Sequence, residues 1–326
     1  MSHAFVKRVS FWACEESKTI SPNSQKRIKK LKNSSPDQPR QKLSDAIYRL
    51  IYDSSINLPT DVYSALKELE KNETSALAKE LYGSIFDNVK RAKEMNRPIC
   101  QDTGALQFFI KAGTKFPYLD DVEDAIKAAV RRATKEIPIR PNVVETFEER
   151  NTGDNIGTRA PWMEWEIVPA SSDLTVGVYM AGGGCSLAGR SKVLMPLEGY
   201  AGVVKFVFDT IVEWGVNACP PLIVGIGIGT CAPTAAALSK KALLRPLGTS
   251  NPNPKARDME ERIKKGLNDI GIGPLGMSGN SSVTGVNIEY AAHHPATIAV
   301  GLSVGCWATR RGSVTLDRNV DVKGEK

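Results

Sequence analysis

The run LIVGIGIG, Leu222–Gly229, is the longest apolar stretch in the chain. It is far too short for a membrane span, which needs about 18 or more apolar residues. Glycines at positions 225, 227 and 229 would weaken a helix, whereas the branched residues between them suit a buried strand. A helix-like run, TAAALSKKALL (234–244), follows it. The same style recurs on both sides. WMEWEIVPA (162–170), LTVGVYMAG (174–182) and TIAVGLSVGC (297–306) read as strands. YAGVVKFVFDTIVEWG (200–215) reads as a helix, and NPNPKARDMEERIKKGLNDIG (251–271) as a surface loop followed by a polar-faced helix.

The part before these strands is mostly helical. LSDAIYRLIYDSSINLP (43–59) puts Leu43, Ile47, Leu50 and Ile51 on one face and ends at Pro59. DDVEDAIKAAVRRATKEI (120–137) starts acidic and ends basic, which suits the helix dipole. Helices first, then alternating strands and helices, give an α/β class: an N-terminal helical region followed by mixed strands and helices.

A net charge of +7 on 326 residues raises the question of nucleic acid. The first 44 residues hold ten Lys/Arg against three Asp/Glu, which is the whole of that +7, so the remainder is neutral. The basic character therefore belongs to residues 1–42, expected to be a disordered tail, and not to a folded face. A targeting peptide or a nucleic-acid arm is the sharper reading of that tail. It lacks an apolar core segment and is rich in Lys rather than Arg, so neither kind of targeting peptide is convincing. Neither nucleic acid nor a membrane is expected as a partner.

Glycine gathers in four places: QDTGALQFF, YMAGGGCSLAGRSK, GIGIGT and GPLGMSGNSSVTG. Such stretches allow sharp turns and close approach of the backbone to a ligand. GCSLAGRS (184–191) is one residue from a phosphate loop, but Pro196 interrupts the helix that should follow, so nucleotide binding is not expected.

The cysteines are Cys14, Cys100, Cys185, Cys219, Cys231 and Cys306, too sparse for a disulfide scaffold. Cys231 reads as packing, and Cys185 lies in the triple-glycine loop. Cys100, Cys219 and Cys306 each sit in a turn at a strand edge. No C-x-x-C pair exists for a structural zinc site. Three isolated thiols are compatible with buried free cysteines, or with an iron–sulfur cluster that leaves one iron without a protein ligand.

RPICQDTG, NACPP, VGIGIGT, LSKKALLRPLG, GNSSVTGVNIE and GCWATRRG, in this order, resemble the catalytic domain of class I fumarases and related iron–sulfur hydro-lyases. The resemblance runs from about residue 43 to 316 and implies that residues 43–326 form a hydro-lyase alpha-type catalytic domain. Fumarases typically carry a lysine before the triple glycine and a Ser-x-Asn-type sequence after it. Here Ala181 precedes it and Cys185-Ser186 follows, as in the branch of the family that acts on tartrate. The activity implied is dehydration of L(+)-tartrate to oxaloacetate, with fumarate/malate interconversion by a two-subunit class I fumarase as the alternative.

The resemblance also implies a [4Fe–4S] cluster on Cys100, Cys219 and Cys306, with one iron lacking a protein ligand. It implies Asp102 and His294 as catalytic residues, and Gln101, Arg140 and Gly183 around a small dicarboxylate substrate. His293 is given no role. No residue matches a proton-abstracting base, so a beta subunit is expected as partner, in an assembly of two alpha and two beta chains in the cytoplasm. The rivals are an iron–sulfur sensor, against which Gln101, Asp102 and Arg140 speak, and a hydrolase using Cys185 and His294.

Overall fold

The computed structural model describes residues 38–324; Cys14 and nearly all of the expected tail lie outside the described residues. Three helices come first: α1 (Gln38–Ile56), α2 (Thr60–Asn72) and α3 (Ala76–Met95). Helix α1 thus starts at Gln38, inside the span expected to be tail. Leu43, Ile47, Leu50 and Ile51 are all buried, as their spacing predicts. Ser75 caps α3 by accepting from the Ala78 N–H, and Asn96 closes it in the left-handed region at φ 51°.

The strands form two four-stranded sheets and a short hairpin of β2 (Val144–Glu145) with β3 (Arg150–Asn151). The first sheet contains β1 (Ala105–Gly113), β4 (Trp162–Val168), β5 (Leu174–Ala181) and β10 (Arg310–Leu316), in the order β10-β5-β1-β4. The second contains β6 (Arg190–Leu194), β7 (Leu222–Gly229), β8 (Val283–Tyr290) and β9 (Ile298–Gly305), in the order β6-β9-β7-β8. Each sheet has a single parallel pair, β1 with β4 and β7 with β8, and is otherwise antiparallel.

Helices α1 and α4 (Val122–Glu136) cover the first sheet, and α6 (Gly199–Trp214) and α8 (Pro254–Asp269) cover the second. A third cluster joins Val62 and Leu66 of α2, Tyr82 and Ile85 of α3, Tyr179 of β5 and Ile223 of β7 across the seam between the sheets. Helix α7 (Ala232–Ala242) lies directly on the backbones of β7 and β9. A Cβ on Gly227 or Gly301 would collide with the Ala235 carbonyl oxygen. The glycines of LIVGIGIG are therefore spacers that let a helix rest on a strand. The stretch that resembles a phosphate loop holds the one-turn helix α5 (Gly183–Leu187) and then runs straight into strand β6.

Candidate active site

The turn from α3 to β1 carries Cys100, Gln101 and Asp102. It is pinned at its start: the Ile99 N–H donates to the Ser55 carbonyl (3.0 Å), and Asn88 Nδ2 donates to the Ile99 carbonyl (2.8 Å). Gly104 closes it at φ +79°. A side chain there would stand 2.6 Å from the Ala181 carbonyl carbon. Glycine is required on both counts, and the turn is pressed onto the end of β5.

That contact places Asp102 against the triple-glycine loop. Asp102 Oδ2 accepts from the Gly183 N–H at 2.8 Å, and Oδ1 accepts from the Gly104 N–H at 3.1 Å and from Asn142 Nδ2 at 3.3 Å. A Cβ on Gly182 would come within 2.9 Å of Oδ2. The Arg140 N–H donates to Thr103 Oγ1 at 2.9 Å, and its carbonyl accepts from Asn155 Nδ2 at 3.2 Å. The Arg140 backbone is thus fixed beside the Asp102 turn. Its side chain is exposed and makes no ion pair among the described residues, leaving a free guanidinium fork. Gln101 is likewise exposed.

The cysteine turns meet at the same end of the sheets. Cys219 adopts the left-handed region at φ 52°, a conformation that non-glycine residues keep only where the surroundings enforce it. Its carbonyl accepts from the Trp307 N–H (3.2 Å), which ties its turn to that of Cys306. The Cys306 carbonyl accepts from Thr309 Oγ1 at 2.7 Å. Cys100 and Cys306 pack in one cluster with Ile99, Ala308 and Trp307. Although Cys219 is an exposed residue, partial desolvation of its thiol pushes it up, and the neighbouring Cys306, Cys100 and Asp102 add to the effect. The Cys219 and Cys306 turns are thus hydrogen-bonded to each other, and Cys306 shares a packed cluster with Cys100, two residues before Asp102. Cys185 lies buried against Cys306; the contact between the two thiols pulls Cys185 down and pushes Cys306 up.

Among the described residues no three His, Cys, Asp or Glu side chains converge tightly enough to hold a single metal ion. A cluster makes a different demand, because thiolates bound to separate irons stand further apart than ligands of one ion. The soft donor set, together with the buried Arg310 side chain whose Nε and Nη1 have no partner, fits a negatively charged iron–sulfur group.

Within this chain His294 stands apart from this constellation. It follows β8, where the Thr230 hydroxyl donates to the Ala292 carbonyl at the far end of β7. The cysteine turns border the other end, since Gly305 pairs with Ile223. The eight residues of β7 separate the two ends by roughly 23 Å. His293 bonds locally through Nδ1 to the carbonyls of His294 and Thr297. Cys231 is exposed beside Thr234, also at the far end, so the packing role expected for it does not hold. Two cavities of about 650 and 660 Å³ open elsewhere, one edged by His293 and the other by Lys241 and Arg311. Neither is lined by a cysteine, Asp102 or Arg140.

Sequence reasoning missed Asn142, although it stands two residues beyond Arg140 in IRPN, and Thr103, the anchor of Arg140, inside QDTG. It also missed Arg310, four residues after Cys306 in CWATRR. A polar residue flanking a suspected ligand was the available signal.

A model of the fumarate hydratase (Fumerase) family matches residues 44–315. The chain is 52% identical over 284 residues to L(+)-tartrate dehydratase subunit alpha of Escherichia coli K12, covering 87% of this chain and 94% of the relative. The same figures hold for the subunit of Shigella sonnei. It is 36% identical over 273 residues to a Methanocaldococcus jannaschii protein provisionally given the same name, covering 83% of this chain and 96% of that one. With the match spanning both sheets and the cysteine turns, the chain belongs to the fumarate hydratase (Fumerase) family.

Proposed function

We propose that this chain is the alpha subunit of an iron–sulfur hydro-lyase that dehydrates L(+)-tartrate to oxaloacetate. The observation that supports the reading is the packing of the Cys100, Cys219 and Cys306 turns against one another, with Asp102 on the first of them, in a chain 52% identical to tartrate dehydratase alpha subunits. Cys100, Cys219 and Cys306 would hold a [4Fe–4S] cluster with one iron free of protein ligands. When bound, that group supplies a Lewis acid for the departing hydroxyl.

The chain's own residues do the rest. Asp102 delivers a proton to the leaving hydroxyl from Oδ2, which the Gly183 N–H holds in place. The oxygen that Gly183 meets is thus that of the acid, and its role toward substrate is to aim that acid. Arg140 offers its planar fork to a substrate carboxylate, and Gln101 orients the polar groups beside it. His294 is assigned no step within a single chain.

The base that takes the carbon-bound proton belongs on a beta subunit, in an assembly of two alpha and two beta chains. The names of the relatives support a partner. So do Leu187, Met195 and Leu197, which are 55%, 67% and 101% exposed and follow Gly183 closely in the chain. No helix among the described residues is long and apolar enough to cross a membrane, and we place the enzyme in the cytoplasm.

The description of the family favours a second reading, a two-subunit class I fumarase. The test is anaerobic reconstitution of the chain with iron and sulfide, with and without the beta subunit, on L-tartrate and on fumarate. Oxaloacetate from tartrate, and only with both chains, is expected. Faster hydration of fumarate would replace the substrate, and full turnover without beta would overturn the split site.

A further inference from the structure

Arg310 opens β10 in register with Met180 of β5, one turn after Cys306. Its side chain is among the largest fully buried ones in the described chain, at 1% exposure. Nε and Nη1 have no hydrogen-bond partner, and no carboxylate pairs with it among the described residues. Arginine keeps its charge in any protein setting, so this is a buried cation without a counter-charge. Such a group is strongly destabilising unless something negative faces it.

Its neighbours narrow what that can be. Arg310 stands four residues after Cys306, whose carbonyl the adjacent Thr309 hydroxyl holds, and its charge bears on Cys185, Cys306 and Tyr179. Lys240, whose Nζ is 5.5 Å from the centre of the Tyr179 ring, adds a second cation on the same side. Neither Arg310 nor Lys240 pairs with an acid among the described residues. Thiolate sulfur bound to iron, with the inorganic sulfide of the same group, is negative and accepts hydrogen bonds.

We propose that Arg310 is the built-in charge and hydrogen-bond partner of the iron–sulfur group, a positioning residue behind Cys306 whose Nε–H and Nη1–H donate to its sulfur atoms. The inference rests on the iron–sulfur reading above. It assigns Arg310 two effects of opposite sign: it destabilises the empty protein and secures the loaded one. A positive charge beside the group also makes reduction easier and oxidation harder.

The experiment compares wild type with Arg310→Met and Arg310→Lys, each in the iron-free and the anaerobically reconstituted form. Readouts are the thermal midpoint, the reduction potential, and the rate at which visible absorbance fades in air. Iron-free Arg310→Met should melt above iron-free wild type. Loaded Arg310→Met should melt below loaded wild type, show a more negative potential, and lose its absorbance about tenfold faster. Arg310→Lys, which keeps the charge, should hold the potential near that of wild type and serves if the Met variant does not fold. An iron-free Met variant that melts below wild type, or a loaded variant with unchanged potential and fading rate, would overturn the proposal. Failure of wild type to take up iron and sulfide would overturn the iron–sulfur reading itself, and this inference with it.

Discussion

The Gly183 N–H donates to Asp102 Oδ2 at 2.8 Å, across a gap of 81 residues. One bond thus aims the carboxylate of the QDTG turn from the triple-glycine loop, and the glycine at 182 leaves the space. Asp102→Asn places an amide where the Gly183 donor points. Activity should fall by about 10²- to 10⁴-fold, the usual worth of a positioned acid. Iron content should not change. Gly182→Ala brings a methyl to 2.9 Å from Oδ2 and should cost about tenfold or more in kcat through misplacement. Steady-state kinetics at matched iron content checks both; wild-type turnover in Asp102→Asn would remove it from the mechanism.

Stability should fall in acid through two carboxylates, Glu73, which is buried, and Asp61, which is half-buried. Glu73 accepts from the N–H groups of Thr74, Ser75 and Asn280. Asp61 accepts from Arg311 and the Leu247 N–H. Burial opposes ionisation of both, but these donors outweigh it and hold the carboxyls below their ordinary values of 4.5 and 3.8. Depressed native values mean that the contribution is complete above those ordinary values. It is lost as pH falls from about 4.5 through the native ones. Thermal midpoints measured downward from about pH 6 should drop in this window, less steeply in Glu73→Gln. An identical slope in wild type and variant would exclude Glu73 as a cause.

Helix α1 anchors the first sheet through Ile47, which is fully buried. Ile47→Ala should destabilise the protein by about 3 kcal/mol, the cost of lost burial plus a cavity. Denaturant unfolding reads this; a loss below about 1 kcal/mol would mean that the helix is peripheral to the core.

The helices and the apolar strands were legible because burial imposes a period. Leu43, Ile47, Leu50 and Ile51 mark one helix face, and β5, β7 and β9 are nearly unbroken apolar runs. Strands β8 and β10 were not read as strands, because they bury polar side chains. Asn287 donates to the carbonyls of Ala242 and Arg245, and Arg311 pairs with Asp61. Strand β1 does alternate, but glycine and the QDTG turn drew attention away from it. At the site, the cysteine turns and Asp102 could be read by resemblance. Asn142, Thr103 and Arg310 could not, since their roles arise only when distant segments pack together. His294, matched by motif, lies a strand's length from these turns within one chain.

The central claim is that Cys100, Cys219 and Cys306 jointly hold an iron–sulfur group. Iron and sulfide should be counted after anaerobic reconstitution of wild type and of the Ser variants at Cys100, Cys219, Cys306 and Cys231. Wild type and Cys231→Ser, whose thiol sits at the far end of β7 beside Thr234, should bind iron and sulfide equally and show broad visible absorbance. Each of the other three should lose most of both. Full iron and sulfide in any of those three would contradict the account.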